Sequence, residues 1–225
     1  YDLLGLATLK MMEGCIEHIL IRHHGVVDPS YADIKKFYDE NLHPDIINLD
    51  DKKVYKKVFH RGKWSGTFQF TETGAQKFCV RVKPDEIIGI AAITSIYRPG
   101  PLAAGVHEDY VDAKAAPHRV EYLNDDHREI TEETYGFLIF QEQIALLAHK
   151  LGGLTLDEGN LLRKILTKKG TGKDDKRSKL RVKFVDGCEK NGIHRDKAIA
   201  MWNKFAYFSG YGFNKSHAVA YSMIS

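Results

Sequence analysis

Apolar residues recur at the three- and four-residue spacing of amphipathic helices along most of the chain. Two apolar runs, 67–70 and 135–140, lack this spacing and predict short extended segments, the second a buried strand. The polar stretch 115–133 predicts an irregular surface excursion. We therefore expect a mainly α fold with minor β (α+β), with helices over 9–24, 51–60, 71–82, 87–96, 107–114, 141–151, 178–189 and 195–207, and two more that begin at 156 and 214.

Capping signals mark the ends of several predicted helices. Gly25 follows a run of basic residues and predicts the end of the first helix. Thr155 and Glu158 have the spacing of a capping box, and Asn214 is a favourable N-cap. Gln141 and Gln143 lie where the predicted strand meets the next helix, and they could either cap backbone groups or contact a nucleotide.

Composition limits the class of protein. The chain has 225 residues, 43% of them hydrophobic and 28% charged, which is ordinary for a globular protein with a real core. Three scattered cysteines favour a reducing compartment such as the cytoplasm and argue against structural zinc. No apolar run has membrane-spanning length, so we expect no membrane association. The start at Tyr1 and the stop inside an apolar helix suggest a fragment of a longer protein.

Positive charge is concentrated in one part of the sequence. The formal net charge is only +3, but 163–183 holds ten Lys and Arg against two Asp. Lys164 and Lys168 are four residues apart, a like-charge spacing that costs roughly a few tenths of a kcal/mol unless an anion lies over the pair. This stretch therefore indicates either a contact surface for a polyanion or a solvated face.

A second candidate anion site lies at the start of the final predicted helix. Lys215 falls in the first turn, where the helix dipole already favours negative charge, so an anion between its ammonium and the free N–H groups would explain it. His217 and Tyr221 are four residues apart and share a face with Asn214. The alternative is a glycine-rich turn before a core helix, with Tyr221 packed inside.

Arg98 stands directly before a Pro-Gly-Pro turn, which holds it in extended geometry on a stiff loop. Two interpretations are open for it, a positioned anion contact and a structural arginine that pairs with a carboxylate. One cation at a helix start or loop corner is unremarkable. Several that converge would form a pocket for a triphosphate or phosphodiester, because each oxygen favours a charged donor.

Five motifs, in this order, resemble the alpha subunit of bacterial replicative DNA polymerase III, the C family of DNA polymerases. They are Gly-Thr-Phe-Gln-Phe at 66–70, Arg-Pro-Gly-Pro at 98–101, Tyr-Gly at 135–136 with Gln-Glu-Gln at 141–143, Leu-Arg-Lys at 162–164 with Lys-Lys at 168–169, and Tyr-Gly-Phe-Asn-Lys-Ser-His-Ala at 211–218. The resemblance extends over nearly the whole chain. It implies a fragment of a DNA-directed DNA polymerase, with the palm edge at 1–7 and a helical fingers domain at 8–225.

The resemblance also implies roles for individual residues. Asp2 would be one of three palm aspartates that bind two catalytic Mg²⁺ ions. The fingers would close on a deoxynucleoside triphosphate beside primer–template DNA, and the sliding clamp and other replisome subunits would bind regions outside this chain. The residues implied along the triphosphate are Arg163, Lys164 and Lys168; those near the sugar and phosphate are Lys215, His217 and Tyr221; Arg98 would support the pocket.

Two departures from the family pattern affect this interpretation. The closely spaced Asp-x-Asp pair of the palm does not occur here, so we do not expect this chain alone to catalyse synthesis. Thr71-Glu72 stands where the family commonly has Glu-Ser, which puts a phosphate role for Glu72 in doubt. Two alternatives stay open: a non-catalytic, basic helical module that binds nucleic acid, and a helical interaction domain whose basic stretch is only solvated.

Overall fold

The computed structural model describes residues 5–167, 174–208 and 212–225. A π-helical turn at Tyr55–Phe59 follows α3, and 3-10 turns lie at Pro117–Arg119 and Glu132–Thr134. The α-helices within the described ranges are α1 Ala7–His24, α2 Tyr31–Asn41, α3 Lys52–Val54, α4 Thr73–Val82, α5 Ile87–Ile96, α6 Pro99–Ala103, α7 Val106–Ala115, α8 Asp125–Thr131, α9 Gln141–Lys150, α10 Leu156–Thr167, α11 Asp174–Lys190, α12 Arg195–Phe208 and α13 Lys215–Ile224.

The mainly α prediction is confirmed, but the minor β component is not. Among the described residues, the predicted strand at 135–140 contributes one isolated parallel bridge, between Phe140 and Phe213. Tyr135 and Gly136 have positive φ angles of 53° and 80° and turn the chain before that bridge. Gln69, with φ 68°, turns the other predicted segment in the same way. Phe70, Ile139 and Phe140 are buried in the helical core, so these residues need no partner strand. Phe68, Phe137 and Leu138 are only partly buried.

The predicted capping residues are confirmed at the end of α1 and the start of α10, whereas α11 begins at Asp174, four residues before its predicted start. Gly25 adopts the left-handed conformation after α1 and donates its N–H to Leu20. At the start of α10, Thr155 N donates to the Glu158 carboxylate at 2.8 Å, and Glu158 N donates to Thr155 Oγ1 at 3.2 Å. On α10, Leu162, Ile165 and Leu166 are buried, whereas Leu161 is 40% exposed.

The polar stretch 115–133 is more regular than predicted. It contains α8, whose N-cap Asn124 accepts a hydrogen bond from His127 N at 2.9 Å. His127 and Thr131 face the interior of the protein and are buried. A seven-residue helix with two buried polar residues has too weak an apolar pattern to be recognised from spacing alone.

Two hydrophobic cores organise the helices. The first contains the buried faces of α4 and α5, the Tyr55–Phe59 turn, Ile139, Phe140 and Ala218 of α13. The prediction that 87–96 is a buried core helix is confirmed, since Ile90 and Ile93 are at most 2% exposed. The second core lies among α9 to α12 and includes Phe184 and Phe205, whose rings are 5.3 Å apart. Because Phe140 belongs to the first core and α9 to the second, the two cores meet at the start of α9.

Helix α11 lies unusually close to the end of α9. A Cβ added at Gly187 would lie 1.8 Å from the carbonyl oxygen of Gly152, and backbone cannot move as easily as a side chain tip. In contrast, a Cβ added at Gly14 within α1 would meet nothing within 4 Å. None of the helices in the described ranges is long and apolar enough to cross a membrane.

We predict that Gly187→Ala lowers the free energy of unfolding by about 1–3 kcal/mol, because the added methyl group must separate α11 from Gly152. Urea unfolding of the chain, followed by far-UV circular dichroism, measures this change. Gly14→Ala is the matched control and should be neutral or stabilising, since alanine favours a helix over glycine. Equal stability of the two variants would show that α11 and α9 are not in close contact.

Candidate functional site

Two segments far apart in the sequence meet at what we call the junction, residues 140–143 and 212–215. Gln141 N donates to the carbonyl oxygen of Phe213 at 2.9 Å, and Phe213 N donates to that of Ile139 at 3.1 Å. The Gln141 side chain adds a bond from Nε2 to the Gly212 carbonyl at 2.8 Å. The junction therefore holds the start of α9 beside the start of α13.

Gln143 fixes the backbone on the α9 side of the junction. Its Oε1 accepts hydrogen bonds from Ile139 N at 2.9 Å and Phe140 N at 3.0 Å. Its Nε2 donates to Thr134 Oγ1 at 2.8 Å and to the Ile130 carbonyl at 3.2 Å. Gln143 is 2% exposed, so it is a buried backbone cap. The capping interpretation is thus confirmed for this glutamine.

The start of α13 already has a carboxylate bound to it. Asn214 Oδ1 accepts from His217 N at 2.8 Å, which confirms the predicted N-cap. Glu142 accepts from Asn214 Nδ2 at 2.6 Å and from Lys215 N at 3.0 Å. The negative charge expected at this helix start is therefore supplied by a residue of the chain itself.

Lys215 is paired with a second carboxylate. Its Nζ lies 2.7 Å from each carboxylate oxygen of Glu133 and 5.9 Å from the centre of the Phe140 ring. The Lys215 side chain is 35% exposed and that of Glu133 is 29% exposed, so solvent and solutes can reach the pair. Sequence reasoning missed Glu133 and Glu142, because nothing in one sequence links residues that are 82 and 73 positions from Lys215.

Arg163 reaches the junction from α10. Its Nη1 donates to Gln141 Oε1 at 2.9 Å, and the next residue, Glu142, accepts from the backbone N–H of Lys215. Lys164 follows on the same helix and is exposed, with no carboxylate partner in the described part of the chain. Lys168, which completes the predicted triphosphate set, lies outside the described residues.

Arg98 and the aromatic residues form a second side of the junction. The Arg98 guanidinium lies 4.8 Å from the centre of the Phe213 ring, and no carboxylate within the described ranges pairs with it. The Phe213 ring is 5.4 Å from that of His217, which in turn is 4.0 Å from that of Tyr221. Tyr221 is partly buried rather than packed inside, so the structure has a cation and three aromatic rings in one row.

Six of the eight predicted site residues are described, and five of them surround or adjoin the junction: Arg98, Arg163, Lys215, His217 and Tyr221. Lys164 lies beside Arg163 but is turned to solvent. Asp2 lies outside the described residues, as does Lys168. In the described ranges, no group of three or more His, Cys, Asp or Glu could hold a metal ion. The magnesium site implied by the resemblance therefore has no ligand set in this part of the chain.

Comparison with known protein families assigns the chain to a class of domain. A family model described as "Bacterial DNA polymerase III alpha subunit finger domain" matches residues 24–192. The chain therefore belongs to this family of polymerase fingers domains.

Named relatives agree with this assignment over the whole chain. The chain is 35% identical over 225 residues to the DNA polymerase III subunit alpha of Campylobacter jejuni, covering 100% of this chain and 17% of the relative. It is 34% identical to the same subunit of Aquifex aeolicus and 32% identical to that of Escherichia coli, covering 100% of this chain and 18% of each relative. The chain thus spans less than a fifth of the length of these relatives.

We predict that Gln143→Ala destabilises the fold by about 2–4 kcal/mol, because it leaves the buried N–H groups of Ile139 and Phe140 without their acceptor and removes the donor that Gln143 provides to two further oxygens. Gln76→Ala is the control, since Gln76 makes one hydrogen bond to a loop carbonyl, and it should cost about 1 kcal/mol. Chemical unfolding measures both values. If Gln143→Ala costs no more than its control, the junction does not depend on this cap.

Proposed function

We propose that this chain forms the fingers of a DNA-directed DNA polymerase and binds the triphosphate of the incoming deoxynucleotide at the junction. Within the proposal, residues 1–7 form the edge of the palm and 8–225 the fingers. Membership of the finger-domain family supports this assignment of class.

The observation that carries the proposal is the convergence of cations from separate stretches of sequence. The Arg163 guanidinium donates to Gln141 of the junction. The Lys215 ammonium lies 5.9 Å from the centre of the Phe140 ring. The Arg98 guanidinium lies over the Phe213 ring. A triphosphate requires several charged donors placed around one small volume. Arginine side chains suit this role because their planar donors match pairs of phosphate oxygens.

The aromatic side of the junction suits the rest of the nucleotide. Phe213, His217 and Tyr221 offer ring faces and edges beside the Arg98 guanidinium. Aromatic rings stack on nucleobases and sugars with little dependence on sequence. We therefore assign the sugar and base to this side and the phosphates to the side of Arg163 and Lys215.

The chemistry of nucleotide transfer would require groups outside the described residues. The resemblance implies two Mg²⁺ ions, with Asp2 as one ligand, that would neutralise the attacking and leaving oxygens. The part of this chain at the junction would position the triphosphate and offset its negative charge. Primer–template DNA would lie beside it, and contacts with a sliding clamp would belong to regions outside this chain.

A basic groove supports contact with the DNA backbone and is the basis of the alternative function. Arg177 and Arg181 lie one turn apart on α11 and line a groove of about 340 Å³ with Asn203 of α12. Neighbouring cations are paired, Lys183 with Glu158 and Lys179 with Asp175. A purely DNA-binding module would use this groove alone. Its DNA affinity would fall steeply with salt and would not change when triphosphate is added.

We predict that Lys164→Ala in the full-length protein that carries this chain lowers kcat/KM for nucleotide incorporation about tenfold or more. The reason is the loss of roughly 1.5–3 kcal/mol of charge-assisted hydrogen bonding to phosphate. Steady-state primer extension with varied nucleotide concentration measures this effect. Lys197→Ala, which removes an exposed lysine near the opposite end of α12 from the junction, is the control and should have wild-type kinetics. Wild-type kinetics in Lys164→Ala itself would remove this lysine from the proposed site.

The ion pair between Lys215 and Glu133 predicts a substitution that lowers the KM for nucleotide instead of impairing incorporation. A triphosphate must compete with Glu133 for the ammonium group, and a half-exposed pair of this kind is worth about 1 kcal/mol or less. We predict that Glu133→Gln lowers the KM for nucleotide about three- to fivefold, while Lys215→Ala raises it. Glu132→Gln, next in sequence and exposed, should leave the KM unchanged.

Lys215→Ala and Glu133→Gln test two separate parts of the proposal, nucleotide contact by Lys215 and competition from Glu133. If Lys215→Ala leaves incorporation unchanged, Lys215 does not contact the nucleotide. If Lys215→Ala impairs incorporation but Glu133→Gln does not improve nucleotide binding, Lys215 acts at the site without competition from Glu133.

A further inference from the structure

A cavity of about 640 Å³ lies behind the junction and takes no part in the proposed site. Its walls come from the end of α5, from α6 and α7, from 119–121, from 135–139 and from the last turns of α12. None of the described residues assigned to nucleotide binding lines it. Its volume is within the range of about 300–1,000 Å³ that is usual for small-molecule pockets.

Most of the cavity wall is apolar. Ile96, Val120, Leu138 and Phe208 are among the side chains that line it. Charged groups lie on the wall as well: Arg119 and Lys204 are cationic, and Asp109, Asp112 and Glu121 are anionic. The cavity therefore offers space for an apolar body with polar groups available at its edge.

His127 belongs to the cavity wall, and its ring has a buried nitrogen without a hydrogen-bond partner among the described residues. The residue is 4% exposed, and its Nδ1 accepts a hydrogen bond from Leu123 N at 3.1 Å. An imidazole nitrogen that accepts carries no proton, so the proton of the neutral ring is on Nε2. Nε2 is buried and has no hydrogen-bond partner among the described residues. A buried donor without an acceptor is unfavourable, and a ligand oxygen would remove that cost.

The surroundings keep this ring neutral. Burial, and then the positive charge of Lys204, lower the pKa of His127 to about 4. At neutral pH the Nε2–H group is therefore a donor on an uncharged ring, and Lys204 adds positive potential around it. Both effects favour an oxygen with partial or full negative charge at this position.

We propose that the cavity binds a small apolar molecule that ends in a carbonyl-type oxygen, either a carboxylate or a neutral ketone. The oxygen accepts the hydrogen bond from His127 Nε2, and the apolar body fills the space against Ile96, Leu138 and Phe208. The wall residues Ile96 and Ile139 come two positions before Arg98 and one position before Phe140 in the sequence.

Calorimetric titration of the full-length protein that carries this chain tests the proposal with three probes of one shape. These are 1-naphthoate, 1-acetylnaphthalene and naphthalene, which has no oxygen. We expect at least one of the two oxygen-bearing probes to bind about tenfold or more tightly than naphthalene, and His127→Phe to abolish that preference. His118→Phe, which changes an exposed histidine outside the cavity wall, should leave it intact. Lys204→Gln distinguishes the two oxygen types. It should weaken the binding of 1-naphthoate but not of 1-acetylnaphthalene, because only the carboxylate carries a negative charge.

Ala104→Phe places an aromatic ring in the cavity wall and provides a test that does not depend on the folding of His127→Phe. It should abolish binding of the oxygen-bearing probes. The proposal is overturned if neither probe with an oxygen binds the wild-type protein, if naphthalene binds as tightly, or if Ala104→Phe binds the probes normally.

Discussion

The backbone pairing of Phe140 with Phe213 is the constraint on which the rest of the site depends. Three hydrogen bonds, two from backbone N–H groups and one from the Gln141 side chain, join segments about 70 residues apart. Because α9 and α13 begin directly after these segments, the pairing places two helix starts side by side. Gln143 holds one partner in place from within the buried core, so the pairing is supported by a network rather than by the bridge alone.

Carboxylates of the chain itself balance the positive potential at this junction. Glu142 is bound at the start of α13, and Glu133 is bound to the Lys215 ammonium. Such partners hold cationic side chains in defined positions and reduce repulsion among them. A site with its cations already positioned loses less conformational entropy when a polyanion binds, although the anion must then compete with Glu133.

Local sequence signals predicted the helices, and long-range contacts explain what they could not predict. The caps at Thr155 and Asn214 were recognisable because a cap depends on residues three apart. The apolar run 135–140 was assigned to a strand, because periodicity cannot distinguish a strand from an extended segment buried under helices. The resemblance to polymerases identified Arg163 and Lys215 as candidates for one pocket. It did not identify Glu133 or Glu142, whose contacts with Lys215 exist only in the folded chain.

In the proposed function, Arg163 and Lys215 meet around one bound nucleotide. The most direct measurement is a structure of the full-length protein that carries this chain, bound to primer–template DNA and a non-hydrolysable deoxynucleoside triphosphate. We expect phosphate oxygens within hydrogen-bond distance of both side chains, with Glu133 displaced from the Lys215 ammonium. A triphosphate bound elsewhere, with the pair of Lys215 and Glu133 intact, would contradict it.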